Sequence, residues 1–578
     1  MNQHSHSVWG FWRFLCGVLP LMGVLAVAHA QQQPLRPGVL EQLRTDERLE
    51  EIRKRQEGAP DVRLQTPRLE QAELLPESET PCFVIGRVVL KGEGIASFDW
   101  LFGMLNDRTA ADSPIGRCLG ERGIGIVHRR AQNALIEKGF MTTRIYLEAQ
   151  DVRTGELVLM LAPGRLRRMV FEGNVSPRWR LASAAIPKPG DLVQLRDVEQ
   201  TLENLERVPG VKADIQVLPG DAPGESDLVV AYEQKRFLRG GISLDDGGLR
   251  STGKYQMGFS LFLDNPVGMN DTFYLTLNRD LDKSRQREAG KRLGSLSSIL
   301  HYAFPVGYWT FAATHSISQN DQRVAGAFMD YRYRSRQQDT EISVGRMLYR
   351  DATRKVSAEF GVFRRDYHNY INDVEVEVQR RRVGGWKAEV RYQRFIGNRT
   401  VAAHVGYRRG TGAFRATSAP EEDFGEGTAR YQILEAGAQL GVPFTLGGRA
   451  FYYQADWRGQ WNFTDLAATD KFMIGGRHTV RGFDGETVLA SERGWRLRND
   501  VVLPLAGGAI SPYLGVDYGE VHGKTSRLLV GKRLAGMVLG VRGSYGGMDC
   551  DLFVGAPLYR PDAFETGKVV GFALNYAF

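Results

Sequence analysis

Arg481 and Asp517 are the two residues whose types and setting point most directly to a specific interaction. Arg481 lies in a polar, glycine-rich run, Gly475-Gly476-Arg477-His478-Thr479-Val480-Arg481-Gly482-Phe483-Asp484-Gly485. Asp517 lies in Leu514-Gly515-Val516-Asp517-Tyr518-Gly519, which alternates as a strand does. Leu514, Val516 and Tyr518 point one way, and Gly515, Asp517 and Gly519 point the other. A carboxylate flanked by two glycines leaves room for another segment to pack on that face. The chemistry this allows is a bidentate guanidinium–carboxylate contact, which fixes geometry rather than breaking bonds. Support for catalysis is weak. The ten histidines are scattered, and His478 reads more simply as a loop residue than as a general base. No Ser/His/Asp set, metal-ligand spacing or phosphate-binding loop is present, so no catalytic residue, metal or cofactor is assigned.

A loop and strand of this kind need a large β scaffold to hold them. The chain has 578 residues, too many for one ordinary core. Its 75 Lys+Arg and 67 Asp+Glu are interspersed, with a net charge of +8 and no long tract of like charge. A nucleic-acid partner would call for a concentrated basic patch, which is absent. The 66 glycines and 10% aromatics, spread over many short alternating runs, suit a β-barrel.

Residues 1–30 read as a secretory leader. Arg13 precedes the apolar stretch Leu15 to Ala28, and Ala28-His29-Ala30 is a small-x-small cleavage pattern. The apolar stretch is shorter than the ~20 residues a spanning helix needs. Residues 31–56 carry a helix from Pro37 to Gln56 that is polar nearly all round, so it sits in solvent or crosses a wet space. Residues 57–80, with Pro60, Pro67 and Pro76, form an extended linker.

Residues 81–164 read as a compact α/β unit, with a strand from Phe83 to Leu90, a helix through Val127, Ala131, Ala134 and Leu135 ending before Gly139, and strands at Ile145–Leu147 and Leu157–Leu161. Residues 165–235 repeat the order: strand Met169–Phe171, helix Val198, Leu202, Leu205, strands Ile215–Val217 and Leu228–Tyr232. Cys82 and Cys118 share the first unit and can bridge in an oxidising compartment. Cys550 stands apart as an unreactive thiol on a strand. From residue 236 to 578 the texture is that of a membrane barrel of roughly 16 antiparallel strands of about ten residues each. In the last strand Val570, Phe572, Leu574, Tyr576 and Phe578 face lipid, while Gly571, Ala573, Asn575 and Ala577 face the lumen.

The Val480-Arg481-Gly482-Phe483 loop followed by the Gly515-x-Asp517-x-Gly519 strand resembles the motif pair of outer-membrane transporters with POTRA domains. With the leader, polar helix, linker and two POTRA-like units, nearly the whole chain resembles the TpsB transporters of two-partner secretion. The resemblance implies that the loop, about 475–493, folds into the barrel, that its Arg meets the strand Asp, and that the helix plugs the pore at rest. The Cys82–Cys118 pair matches one branch of the family, and the terminal Phe578 resembles the signal read by the barrel-assembly machinery. The implied protein is a monomeric pore in the Gram-negative outer membrane, surrounded by lipid, with its POTRA domains in the periplasm. It would export a large unfolded exoprotein of TpsA type without nucleotide, and it would not be an enzyme. Two other readings exist: a barrel-assembly protein of the same superfamily, which usually has more POTRA units and lacks the helix, and an outer-membrane enzyme.

Overall fold

The computed structural model describes residues 38–57, 61–64, 73–172, 178–282, 287–288 and 291–578. The leader expected at 1–30 lies outside the described residues.

Helix α1, Val39–Gln56, begins after Gly38, whose φ of 88° suits glycine. Glu41 in its first turn and Arg53, Lys54 and Arg55 in its last complement the helix dipole. The pairs Lys54–Glu50 (2.9 Å) and Arg53–Glu57 (3.1 Å) add side-chain support along one face.

The first α/β unit contains α2 (Asp99–Leu105) and α3 (Glu121–Glu137) packed on a three-stranded sheet. Its central strand, Glu156–Ala162, runs parallel to Arg87–Gly92 and antiparallel to Arg144–Tyr146. The single strand expected over Phe83–Leu90 is broken in two. Phe83–Val84 pairs with Cys118–Leu119, and Arg87–Gly92 joins the main sheet. The break falls at Ile85-Gly86, where both Gly86 and Arg87 donate to the Gly155 carbonyl. Local sequence pattern cannot show such a change of partner. The Sγ atoms of Cys82 and Cys118 are bonded, with Cα atoms 5.2 Å apart.

The second unit contains α4 (Arg178–Ala184) and α5 (Leu195–Glu206), with Glu225–Gln234 central between Arg165–Phe171 and Val211–Pro219. Leu166, Val198, Leu202, Leu205, Leu228 and Val230 form its core.

Sixteen long antiparallel strands close into a barrel, from Leu238–Asp245 to Val569–Ala577; the two-residue Val374–Glu375 strand extends one hairpin. First and last strands join through five paired positions, Gly241↔Ala577 to Asp245↔Ala573. Outward residues such as Leu300, Ile342, Leu539, Leu552, Val554 and Val570 are exposed on the isolated chain and form the lipid belt. Several strands are much longer than ten residues. Tyr331–Arg350 has 20 and Arg354–Ile371 has 18, so these hairpins project beyond the hydrocarbon layer. The second α/β unit docks on the barrel's tight turns. Asn270 Nδ2 donates to Ser183 Oγ (2.8 Å), and Asn204 Nδ2 donates to the Gly307 carbonyl (2.8 Å).

Candidate functional site

The loop between strands Arg449–Asn462 and Arg493–Val502 turns into the lumen instead of outward. A tight turn starts it: Thr479 N–H donates to the Gly476 carbonyl and Gly476 N–H to the Val480 carbonyl. Val480 and Phe483 then enter a dry cluster with Ile474, Leu489, Val521, Leu534 and Phe564. Phe483 meets Phe564 edge to face at 5.6 Å. Gly482 has a φ of 96°, and a Cβ there would lie 2.4 Å from the Ala556 carbonyl oxygen. The wall is equally bare opposite, since a Cβ on Gly536 would strike the Arg481 carbonyl oxygen at 1.8 Å.

Between these apolar anchors Arg481 meets Asp517. Its backbone N–H donates to Asp517 Oδ2 (2.9 Å), Nε to the same oxygen (2.7 Å), and a terminal nitrogen to Oδ1 (2.7 Å). The Asp517 residue is 0% exposed and Arg481 3%. Gly515 clears the space, because a Cβ there would sit 2.6 Å from the guanidinium. A Cβ at Gly519 would lie 2.9 Å from Val480 Cγ2.

A second carboxylate, absent from the sequence reading, completes the site. Asp500 accepts from Arg481 at 2.5 Å and from Arg542 at 2.8 Å. Its signal was present: Arg496, Arg498 and Asp500 alternate with Leu497, Asn499 and Val501, placing three charges on the lumen face. His478 is half-buried, and its carbonyl accepts from Arg498 at 3.4 Å. Arg477 ties the loop to the seam, with Asp246 at 3.0 Å and the Phe572 carbonyl at 3.2 Å.

Contacts of helix α1 take up much of the remaining lumen. Helix α1 lies inside the barrel and touches strands around its wall. Arg48 pairs with Asp245 (2.7 Å), Glu50 with Arg458 (2.6 Å) and Arg53 with Glu341 (3.8 Å). Gln337 donates to Asp46 (2.8 Å), Gln56 to Thr276 (3.0 Å) and Arg55 to Asn575 (2.7 Å). The helix is less uniformly polar than its composition indicated. Val39 and Leu43 pack on Met473, Val488 and Ala490 of the inward loop, and Leu49 and Ile52 pack near Tyr274 and Ile299. A wet gap of about 420 Å³ remains beside the helix, bordered by Lys54, Gln439, Asp456, Arg458 and Arg542.

At the end of the chain, the Phe578 backbone exchanges two hydrogen bonds of 3.0 Å with Gly240, and its ring covers that glycine. Cys550 is a half-buried free thiol. Among the described residues no His/Cys/Asp/Glu group is arranged to hold a metal, and no helix is long and apolar enough to cross a membrane.

The family model described as haemolysin secretion/activation protein ShlB/FhaC/HecB matches residues 224–543. The chain belongs to this family. Models for a ShlB-type POTRA domain and a POTRA domain match residues 85–164 and 165–219. The transporter is 34% identical over 537 residues to outer membrane transporter CdiB-2 of Burkholderia pseudomallei, covering 90% of each chain. It is 22% identical to hemolysin transporter protein ShlB of Serratia marcescens, over 78% of this chain and 79% of that one. The solved structure of CdiB from Acinetobacter baumannii superposes with a TM-score of 0.81 at 26% identity, covering 93% of this chain and 99% of that one. This is an outer-membrane two-partner-secretion transporter, with a 16-stranded barrel and periplasmic POTRA domains.

Proposed function

We propose that the transporter exports one large, unfolded exoprotein of TpsA type, and that the POTRA sheets capture it in the periplasm. The strands Arg144–Tyr146 and Val211–Pro219 form sheet edges with no outer strand partner among the described residues. An extended chain can add to such an edge through main-chain hydrogen bonds, with little demand on its side chains. Folding of the cargo outside supplies direction, so neither nucleotide nor enzymatic activity is required.

The observation that carries this reading is the helix in the lumen. It lies in a polar barrel, held by apolar contacts near both ends, hydrogen bonds, and partly exposed ion pairs each worth about 0–1 kcal/mol. A plug held this way can be withdrawn. The Arg481–Asp517–Asp500 cluster fixes the inward loop against the wall, so that the loop borders the path at constant geometry. Phe578 serves insertion by the barrel-assembly machinery, and one copy of the chain forms the pore.

The test is export. Cells expressing the transporter together with a candidate exoprotein of TpsA type release that protein, and cells lacking the transporter retain it in the periplasm. Equal release in both refutes the proposal.

A further inference from the structure

Part of the linker after α1 is bound in place. Asp61–Leu64 is clamped between helix α5 and the barrel turn at 350–355. Val62 N–H donates to Glu203 Oε1 at 3.0 Å and Leu64 N–H to Glu199 Oε1 at 2.9 Å. The Val62 carbonyl accepts from Arg350. Arg350 also reaches Glu199 (3.1 Å), Glu203 (2.8 Å) and Gln200 (3.0 Å). The side chains of Glu199 and Arg350 are 0% and 2% exposed. Val62 and Leu64 pack against the hydrophobic core of the second POTRA domain. Lys355 reaches Asp61, and the Arg63 guanidinium lies 3.7 Å from the centre of the Phe395 ring.

Two features make this seat more than a brace. It reads backbone N–H groups on alternate residues, one carbonyl, and two apolar side chains two positions apart. Any extended segment of the pattern apolar-x-apolar offers those groups. It also limits the plug. Helix α1 has 18 residues, about 27 Å at 1.5 Å each. The six steps from Gln56 to Val62 span at most ~20 Å. With Val62 held at the barrel rim, Gln56 stays within ~20 Å of that point, less than the length of the helix, which restricts how far α1 can withdraw.

We propose that the α5–barrel seat is a docking site for an extended, apolar-x-apolar segment of the exported protein, occupied at rest by the transporter's own Asp61–Leu64. Docking displaces the linker and lengthens the tether, and only then does the helix clear the lumen. This rests on the exporter reading, which supplies the segment.

The probe is a labelled peptide, Pro-Asp-Val-Arg-Leu-Gln, followed by fluorescence anisotropy on the purified full chain in detergent. The tethered linker competes at an effective concentration near millimolar. Wild type therefore binds the peptide weakly, and the Val62→Ser/Leu64→Ser variant binds it at least about tenfold more tightly. A peptide with Ser at both apolar positions does not bind. Equal affinity for wild type and variant, or for the two peptides, overturns the proposal. A second measurement needs no variant: saturating peptide speeds hydrogen exchange at the Val62 and Leu64 amides of wild type, and unchanged exchange overturns the displacement. Peptide displacement that persists while cells fail to export refutes the exporter reading alone.

Discussion

Asp517→Ala removes three hydrogen bonds at once and leaves Arg481, 3% exposed, with Asp500 as its remaining acid. Breaking a buried ion pair by deleting one partner costs about 3–5 kcal/mol. Asp500 stays within 2.5 Å of the guanidinium, so the lower end applies. At 1.4 kcal/mol per tenfold, about 3 kcal/mol lowers the ratio of docked to undocked loop by roughly 100-fold. Asp500→Ala costs less, about 1–3 kcal/mol, because Arg481 keeps both Asp517 oxygens and Asp500 supplies a single bond to it. The assay is hydrogen exchange at the amides of Thr479 to Asp484 in the detergent-solubilised transporter. Protection falls most in Asp517→Ala, less in Asp500→Ala, and the Arg481→Ala/Asp517→Ala double variant loses little beyond either single one. Export falls in the same order while the barrel remains inserted. Unchanged protection in Asp517→Ala, the reverse ranking, or strictly additive single effects refutes the assignment of this pair as the loop's anchor.

Four further outcomes follow from the fold. Replacing Cys82 and Cys118 by serine opens a bond across 36 residues and destabilises the first POTRA domain by about 3–4 kcal/mol on the chain-entropy view, read as a lowered denaturation midpoint; mass analysis of the unreduced wild type shows no free thiol at either position. Deleting residues 38–57 raises single-channel conductance in planar bilayers, and unchanged conductance refutes the plug. Deleting Phe578 lowers the amount of inserted barrel in the outer membrane; normal insertion with lost export would contradict its role in assembly. Hydrogen bonds from Arg167, then Arg168, hold the Asp227 carboxyl down at about 2, below its usual ~3.9. The resulting stability is present above pH ~4 and lost as pH falls through about 2, so Asp227→Asn flattens the acid limb of a second-domain unfolding profile.

Much of this architecture is written in local pattern. Period-2 alternation places Asp517 and its flanking glycines on one face, and tertiary contact then follows from the one cation between Val480 and Phe483. Asp500 was equally local in its signal, but three alternating charges on a strand also describe any wet barrel wall, so only the fold singles it out. The clamp on Asp61–Leu64 was not legible, because the linker contributes mainly backbone groups and ordinary apolar side chains. Its partners Glu199 and Arg350 are 151 residues apart in sequence. The packing of lumen-facing Tyr274 and Ile299 against Leu49 of α1 was likewise not legible, since it joins segments far apart in sequence.

The mixed signs around α1 bear on what the channel becomes once empty. The groups that grip the helix include Asp245, Glu341 and Arg458 among neutral Gln337, Thr276 and Asn575. Withdrawal of the helix uncovers that whole ring to water. A passing polypeptide then meets wall charges of both signs, with Arg458, Arg496, Arg498 and Arg542 set among Asp456 and Asp500 on one side. With a Debye length of about 8 Å at physiological salt, each wall charge acts only on the residues beside it. The same pairs that hold the helix would thus leave, once it is gone, a wall of local, screened charges in place of one uniform field.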